Sequence, residues 1–523
     1  MDAVSLTVDI PPRPTLYDRL SAGCAARPAL RVAVPGAITL VAGILRFWNL
    51  GHPHELVFDE TYYVKDAWSQ WNLGYAAKWP DAADTRFAAG ETDIFLDLGS
   101  YVVHPPLGKY LIGAGMALFG ADSSFGWRFA TALFGTAAVL LLYLVALTLT
   151  RSIGVAVAAS GLMAIDGLAI VLSRVALLDV FVMFFTLLTF WFVLLDRGWM
   201  RRRWPWPAAS DDDPPHWGRV FWWRPWILAA GCAAGCATAV KWSGLYVLAG
   251  VGIYLVVMDV LERRRRGILN WPTDAILRQG PATFVALVPV AFVVYLASWT
   301  GWLVTDGGYD RDSADSSPAT GFWSWVPLSI QSLWRYHQSM YGFHVGLSAE
   351  HGYASPAWQW PLLVRPTSMF YHSLDQADAA CGVAGGCVQN IYSMPNPLIW
   401  YASVAATVYL VVRFVRRRDW QSGFVLTGIA VTWVPWLLYP ERTVFQFYTV
   451  VILPFLLLAL ALAMRDIARP RPDAPEKRVA AQRVLWVLVI AAIALSAFWY
   501  PILTATTVPY DFWRLHNWSP TWI

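Results

Sequence analysis

Charge is what this chain has least of: Asp, Glu, Lys and Arg make up only 14% of its 523 residues, against 57% hydrophobic ones. Soluble domains carry roughly 25% charged residues. The shortfall, with a mean hydropathy of +0.45, excludes an ordinary set of soluble domains and indicates an all-α polytopic membrane protein. Residues 1–29 also lack the charged, then apolar, then small pattern of a cleavable signal, so the first span is expected to act as an uncleaved signal anchor. No internal repeat is found and no appended soluble domain is expected at either end, and a net charge of +4 gives no reason to invoke nucleic acid.

What is there is a series of apolar stretches near the ~20 residues that cross a bilayer. They fall near 30–49, 126–149, 153–172, 175–195, 226–242, 243–261, 282–303, 397–412, 423–439, 445–463 and 484–502, which makes about 11 transmembrane helices. The apolar stretch 107–119, closed by Ala121-Asp122-Ser123-Ser124, is too short to cross and reads as an interfacial helix.

Cytoplasmic loops collect Lys and Arg, which tests the count. With the N-terminus inside, Arg201–Arg203 with Arg219 and Arg224, Arg263–Arg266, Arg413 with Arg416–Arg418, and Arg465 through Arg483 all fall inside, while residues 304–395 hold only Arg311, Arg335 and Arg365. A twelfth span at 107–119 would invert every later loop. The expected organisation is therefore a cytoplasmic tail 1–29 and a single membrane domain 30–523. That domain carries two large extracytoplasmic loops, 51–125 and 304–395, and an extracytoplasmic tail 503–523.

Cysteine is scarce, and two of the five, Cys381 and Cys387 in CGVAGGC, lie in the outer loop. Flexible glycines and an oxidising compartment favour a disulfide there. Cys232 and Cys236, one helical turn apart beside Gly231 and Gly235, read as close helix packing, and Cys24 is uninformative. Asp211-Asp212-Asp213-Pro214-Pro215 reads as a flexible cytoplasmic loop rather than a metal site.

Ionisable groups in hydrocarbon are costly unless paired or solvated. In the threaded topology Arg46, Arg128, Asp166, Arg174, Asp179, Lys241 and Arg442 all fall toward the outer ends of their spans, beside Asp59 and Glu60. One outward-facing charged cavity would gather them, and its mixture of cations and carboxylates suits a phosphate-bearing lipid with its tail in the bilayer. Interhelical pairing competes with that reading. Arg174 and Asp179 stand five residues apart across a tight turn, and Arg46 and Asp166 suit polar glue within the bundle. Arg128, Lys241 and Arg442 have no obvious acidic neighbour in sequence except Glu441, and are the better candidates for the ligand.

Asp59 and Glu60, being adjacent, point in different directions and need not share a role. A membrane-proximal carboxylate is suited to act as general base toward a hydroxyl. The competing reading makes Asp59 the N-cap of a helix running through Thr61-Tyr62-Tyr63-Val64.

The string Phe58-Asp59-Glu60-Thr61-Tyr62-Tyr63-Val64-Lys65-Asp66-Ala67-Trp68, followed by His104-Pro105-Pro106-Leu107-Gly108-Lys109, resembles the bacterial protein O-mannosyltransferases. Further matches are SRVALLD at 173–179 running into FVMFF, AVKWSGLY at 239–246, YHQSMYGFH at 336–344, WQWPLLVRP at 358–366 and PERTVFQFY at 440–448. The likeness runs in order from the first span to the last. It implies the GT-C glycosyltransferase architecture and an inverting enzyme that moves mannose from polyprenyl-phosphate-mannose to Ser or Thr of exported proteins at the outer face of the plasma membrane. It further implies that Asp59 is the general base, that Glu60 orders the site or the acceptor, and that Arg128 and Lys241 neutralise the departing phosphate. The chemistry agrees with inversion, since direct attack needs one base and the phosphate leaves without a proton. Cations at the phosphate lessen the need for a metal, so no obligatory cofactor is expected, although a divalent ion is not excluded.

His104, held extended before two prolines, either projects toward the lipid phosphate or sits in a rigid surface turn, and Lys109 either snorkels from its interfacial helix or binds donor. His337, His344 and His351 recur every seven residues, about 10.5 Å of helix, too far to share one ion, and read as one face of a helix over the cavity. His344, Trp358, Trp360 and Arg365 are candidates for contact with the acceptor, against interfacial anchoring for the tryptophans.

Eukaryotic relatives add a lumenal sugar-binding-like domain that 304–395 is too short to hold, leaving acceptor choice to membrane-proximal loops. Arabinose-type lipid A transferases share the fold and an Asp-Glu pair, but carry DExRYAE and KPP where this chain has DETYYVKDA and HPP. The alternatives are a related transferase acting on a lipid or cell-wall glycan, and a transporter. Charges gathered at one face disfavour the transporter, which would show inverted repeats or broken helices near the midplane. The export machinery is a plausible partner, because unfolded acceptors emerge at this surface.

Overall fold

A computed structural model describes residues 27–204, 214–469 and 475–522; Cys24 and Asp211–Asp213 lie outside the described residues. Its main helices are α1 (Pro28–Phe47), α2 (Glu60–Leu73), α3 (Leu107–Phe119), α4 (Ser124–Thr150), α5 (Ile153–Ile165), α6 (Gly167–Arg174), α7 (Asp179–Arg203), α8 (Pro225–Val240), α9 (Gly244–Arg265), α10 (Trp271–Ser298), α11 (Leu328–Gly346), α12 (Pro397–Arg417), α13 (Trp420–Leu437), α14 (Leu453–Ile467) and α15 (Pro475–Leu503).

Among the described residues seven helices are long and apolar enough to cross a membrane, or eight if α5 and α6, bent by 57° at Asp166, form one span. The stretches 226–242, 423–439 and 445–463 fall on the shorter helices α8, α13 and α14. Helix α14 is buried on every side over Leu453–Ala463, as expected of a helix apolar all round that forms the core of a bundle. Helix α10 begins eleven residues before the expected 282, with a π-helical turn over Asp274–Gln279. Its charges mask it in sequence, but Asp274 is buried against Arg263 at 2.5 Å. Arg224 likewise lies between Asp196 (2.5 Å) and Asp259 (3.0 Å). Arg224 and Arg263, which read as orientation signals, are thus also buried ion-pair partners.

Gly231 and Gly235 bring α8 against α10: a Cβ at either would sit 2.7 Å from the Leu287 or Ala291 carbonyl. The close packing is as expected, although Cys232 is exposed and the glycines make the contact.

The loop 304–395 contributes α11 and an antiparallel hairpin, β1 (Thr367–Leu374) and β2 (Cys387–Ser393), with a bulge between Ser368 and Phe370. The Cys381–Cys387 disulfide sits at its tip. Strand β3 (Val508–Pro509) pairs with β2, and Tyr392 donates to the Trp522 carbonyl, so the C-terminal segment packs on this loop. His52 Nε2, just past α1, lies 3.0 Å from the Ala505 carbonyl oxygen.

Candidate active site

Helix α2 is held along its length. At its first residue, Glu60 accepts from Arg128 Nε and Nη2, both at 2.8 Å, and from the backbone N–H of Ala176 and Val57. Further along, Asp66 pairs with buried Lys109 at 3.7 Å, and Gln70 donates to the Pro106 carbonyl at 3.0 Å. These contacts tie α2 to α3, α4 and the turn before α7. They place Asp59, the residue just before α2, with little freedom. Phe58 adopts φ 51°, the left-handed region, which costs a non-glycine residue about 1–2 kcal/mol. Its ring is held edge-on by Phe447 and Phe445.

Asp59 occupies the N-cap position, but its side chain caps nothing, so the capping explanation of this carboxylate does not hold. Burial pushes its pKa up to about 6, with Lys241 pulling it down and Asp179 pushing it up. A half-buried carboxylate without a fixed partner among the described residues, titrating near neutrality, is matched to general-base work.

Beside it a cavity of about 220 Å³ is lined by His104, Asp179, Lys241, His344, Arg442 and Tyr448, among others. Lys241, at the end of α8, bonds Asp179 at 2.8 Å, with its ammonium 5.0 Å from the Tyr448 ring centre. Among the described residues Arg442 has no carboxylate partner: Nη2 lies 3.2 Å from His344 Nδ1, the guanidinium stacks over Trp436, and Nε is buried without a hydrogen-bond partner. His344 Nε2 lies 2.7 Å from the Val103 carbonyl, so the proton is on Nε2 and Nδ1 accepts from Arg442. Burial pushes His344 down to about 4, against the Val103 hydrogen bond and aided by Arg442 and Lys241. His104 stacks on His344 at 5.3 Å, its Nδ1 buried and without a hydrogen-bond partner among the described residues. Burial, with Lys241 next, holds His104 well below the ordinary range. Both imidazoles are neutral at physiological pH, leaving Lys241 and Arg442 as the cavity's cations.

Of the sequence candidates, the structure therefore gathers Asp59, His104, Asp179, Lys241, His344 and Arg442. Others stand apart. Arg128 spends its N–H groups on Glu60 and on the Leu50, Pro53 and Glu55 carbonyls, leaving none for a phosphate. Arg174 pairs not with Asp179 but with the carbonyls of Arg46, Trp48 and Asn49 at the end of α1. Arg46 bonds the Met163 and Ala164 carbonyls, and Asp166 caps α6 and accepts from the Asn396 N–H. These residues fasten α1 to the α5–α6 bend, as the polar-glue reading expects. Lys109 is buried against Asp66, so it does not snorkel.

The three histidines diverge. His337 lies between the Tyr295 hydroxyl and the Leu333 carbonyl, and His351 lies beyond the end of α11 against Phe445. Among the described residues no group of three or more metal-ligating side chains gathers. Trp360 is buried and donates to the Ser355 carbonyl, and Arg365 is tied to the Gly352 and Thr521 carbonyls, so neither is free for an acceptor; Trp358 is 61% exposed. Sequence reasoning missed Asp66 and Tyr448 as site-supporting residues, although both lie within the quoted motifs.

Two family models match, one described as dolichyl-phosphate-mannose-protein mannosyltransferase over residues 99–300 and one as the C-terminal four TMM region of protein-O-mannosyltransferase over 329–522. The chain is 34% identical to a polyprenol-phosphate-mannose–protein mannosyltransferase of Mycolicibacterium smegmatis, over 94% of this chain and 92% of that one. It is 33% identical to one of Mycobacterium tuberculosis, over 94% and 91%. In fold it is similar to the Saccharomyces cerevisiae protein O-mannosyltransferase Pmt1–Pmt2 complex bound to the sugar donor (TM-score 0.69, 16% identity, 94% and 92% covered). It is also similar to the archaeal oligosaccharyltransferase AglB of Archaeoglobus fulgidus (TM-score 0.51, 15% identity, 94% and 58% covered).

Proposed function

The chain belongs to the protein O-mannosyltransferase family, and from that premise we propose how its site performs the transfer. The enzyme is a multi-pass membrane protein that takes mannose from polyprenyl-phosphate-mannose to a protein acceptor. In the proposed reaction Asp59 removes the proton of a Ser or Thr hydroxyl as its oxygen attacks the anomeric carbon. The C1–O bond to phosphate breaks from the opposite face, so configuration inverts and polyprenyl phosphate leaves with the electron pair. The donor is a phosphodiester with one negative charge, and the product phosphate carries up to two. Lys241 and Arg442 would take up that added charge, and Asp179 would keep Lys241 aimed. Glu60 and Arg128 are assigned the positioning of Asp59 rather than contact with the phosphate.

The observation that carries this reading is the pairing of a half-buried, uncapped Asp59, raised to about 6, with a cavity whose Arg442 has no carboxylate partner among the described residues. Eleven crossings and an outward-facing site belong to the same proposal. The His52–Ala505 contact supports an odd number of crossings, since the far end of α1 and the C-terminal segment share a side. A plasma-membrane location and acceptors arriving from the export machinery complete it.

The test incubates purified protein with radiolabelled polyprenyl-phosphate-mannose and a Ser/Thr-rich peptide. Labelled peptide from the wild type, reduced by about 10²–10⁴-fold in Asp59→Asn, is the expected result. Undiminished transfer by Asp59→Asn would remove the base assignment, and active protein that labels lipid or glycan but no peptide would replace the acceptor class.

A further inference from the structure

A second cavity opens at the opposite end of the bundle, and the transfer chemistry makes no use of it. It lies between α1, α5, α14 and α15, where the wall is apolar and includes Val34, Gly161, Leu162, Ala461 and Val489. Helices α1 and α15 leave most of their surface unburied, so the space adjoins the lipid-facing side. Arg465 and Gln482 are the polar side chains of its wall. Arg465 Nη1 donates to Gln421 Oε1 at 3.2 Å and Nε lies 3.5 Å from Asp466 Oδ1, but Nη2 is buried with no hydrogen-bond partner among the described residues. Gln482 is 6% exposed, and its Nε2 is unpartnered in the same sense.

The charge nearby is unbalanced among the described residues. Asp466 is shared by Arg413 at 2.7 Å, Arg469 at 3.3 Å and Arg465, while Asp419 pairs with Arg413 at 2.8 Å. Among the described residues three guanidinium groups thus face two carboxylates, and the donors left over lie at the wall of an apolar cavity. Buried N–H groups are rarely left unmade, and basic pockets between transmembrane helices suit lipid phosphates.

We propose that this cavity binds one anionic phospholipid, its phosphate accepting from Arg465 Nη2 and Gln482 Nε2 and an acyl chain lying against Gly161. The apolar wall favours a lipid over free phosphate, and the surplus cation favours an anionic headgroup over a zwitterionic one. The site is independent of mannose transfer.

The test uses native mass spectrometry of the full-length protein in detergent, titrated with phosphatidylglycerol, phosphatidylcholine or inorganic phosphate. A Cβ at Gly161 meets nothing within 4 Å, so Gly161→Leu directs its side chain into the cavity wall's open space, and Arg465→Gln removes the charge alone. The wild type is expected to retain one phosphatidylglycerol about tenfold more tightly than phosphatidylcholine. Arg465→Gln should lose that preference, and Gly161→Leu should lose retention of both lipids. Equal retention of the two lipids by the wild type overturns the proposal. So does wild-type-like retention of phosphatidylglycerol by both variants, or its displacement by millimolar inorganic phosphate.

Discussion

Glu60 grips Arg128 in a two-point ion pair, with Nε and Nη2 each 2.8 Å from a carboxylate oxygen and neither residue more than 1% exposed. The pair joins the residue after the proposed base to α4, and Glu60 also accepts from the Ala176 N–H ahead of α7. Adjacent carboxylates therefore have opposite environments: Glu60 is saturated by donors, whereas the Asp59 side chain caps nothing and has no hydrogen-bond donor among the described residues.

Arg128→Met should lower stability by about 3–5 kcal/mol, because it strands a buried carboxylate. Adding Glu60→Met should recover only part of the loss, since the Val57 and Ala176 N–H groups would still lack their acceptor. Thermal unfolding in detergent of the two single variants and the double variant measures the coupling.

Because Asp59 must be ionised to accept a proton and its pKa is pushed up to about 6, transfer should rise with pH and level off above that value. Lys241 holds the pKa down, so a donor phosphate that neutralises Lys241 should push it higher. The pH midpoint of kcat should then lie above that of kcat/KM for the donor. Coincident midpoints would separate Lys241 from the phosphate.

The same raised pKa means that the folded state holds the Asp59 proton more tightly than the unfolded chain does. Its favourable contribution is complete below about pH 4 and is lost as pH rises through 6. Asp59→Asn should therefore raise Tm at pH 7.5 relative to wild type and leave it little changed near pH 4. Scanning unfolding of both proteins across that range is the measurement.

Arg442→Ala should cut kcat/KM by about 10²-fold, the usual effect of removing one preorganised donor from developing charge, with little change in Tm, because no buried carboxylate loses its partner. Donor titrations at saturating peptide give the kinetic constants.

Reducing the Cys381–Cys387 bridge, or replacing both cysteines by Ser, should cost about 2 kcal/mol by the entropy of its short loop. Transfer should persist, since the bridge sits at the tip of the β1–β2 hairpin. Activity with and without reductant tests this.

Sequence alone determined that this is a membrane-embedded helical protein, that Asp59 and Glu60 follow the first apolar helix, and which motifs mark the family. These properties follow from hydropathy over about 20 residues and from side chains adjacent in the chain, both local. It also placed Lys241, Asp179 and Arg442 toward one side, because orientation follows from where arginine collects. Only the tertiary structure decided which charge meets which. Arg128 finds Glu60 from 68 residues away, Lys241 finds Asp179 from 62, and Arg174 turns from its near neighbour Asp179 to the carbonyls ending α1. In a low-dielectric interior each buried charge takes the partner with the best geometry. That geometry is set by how helices pack, which no spacing along the chain encodes.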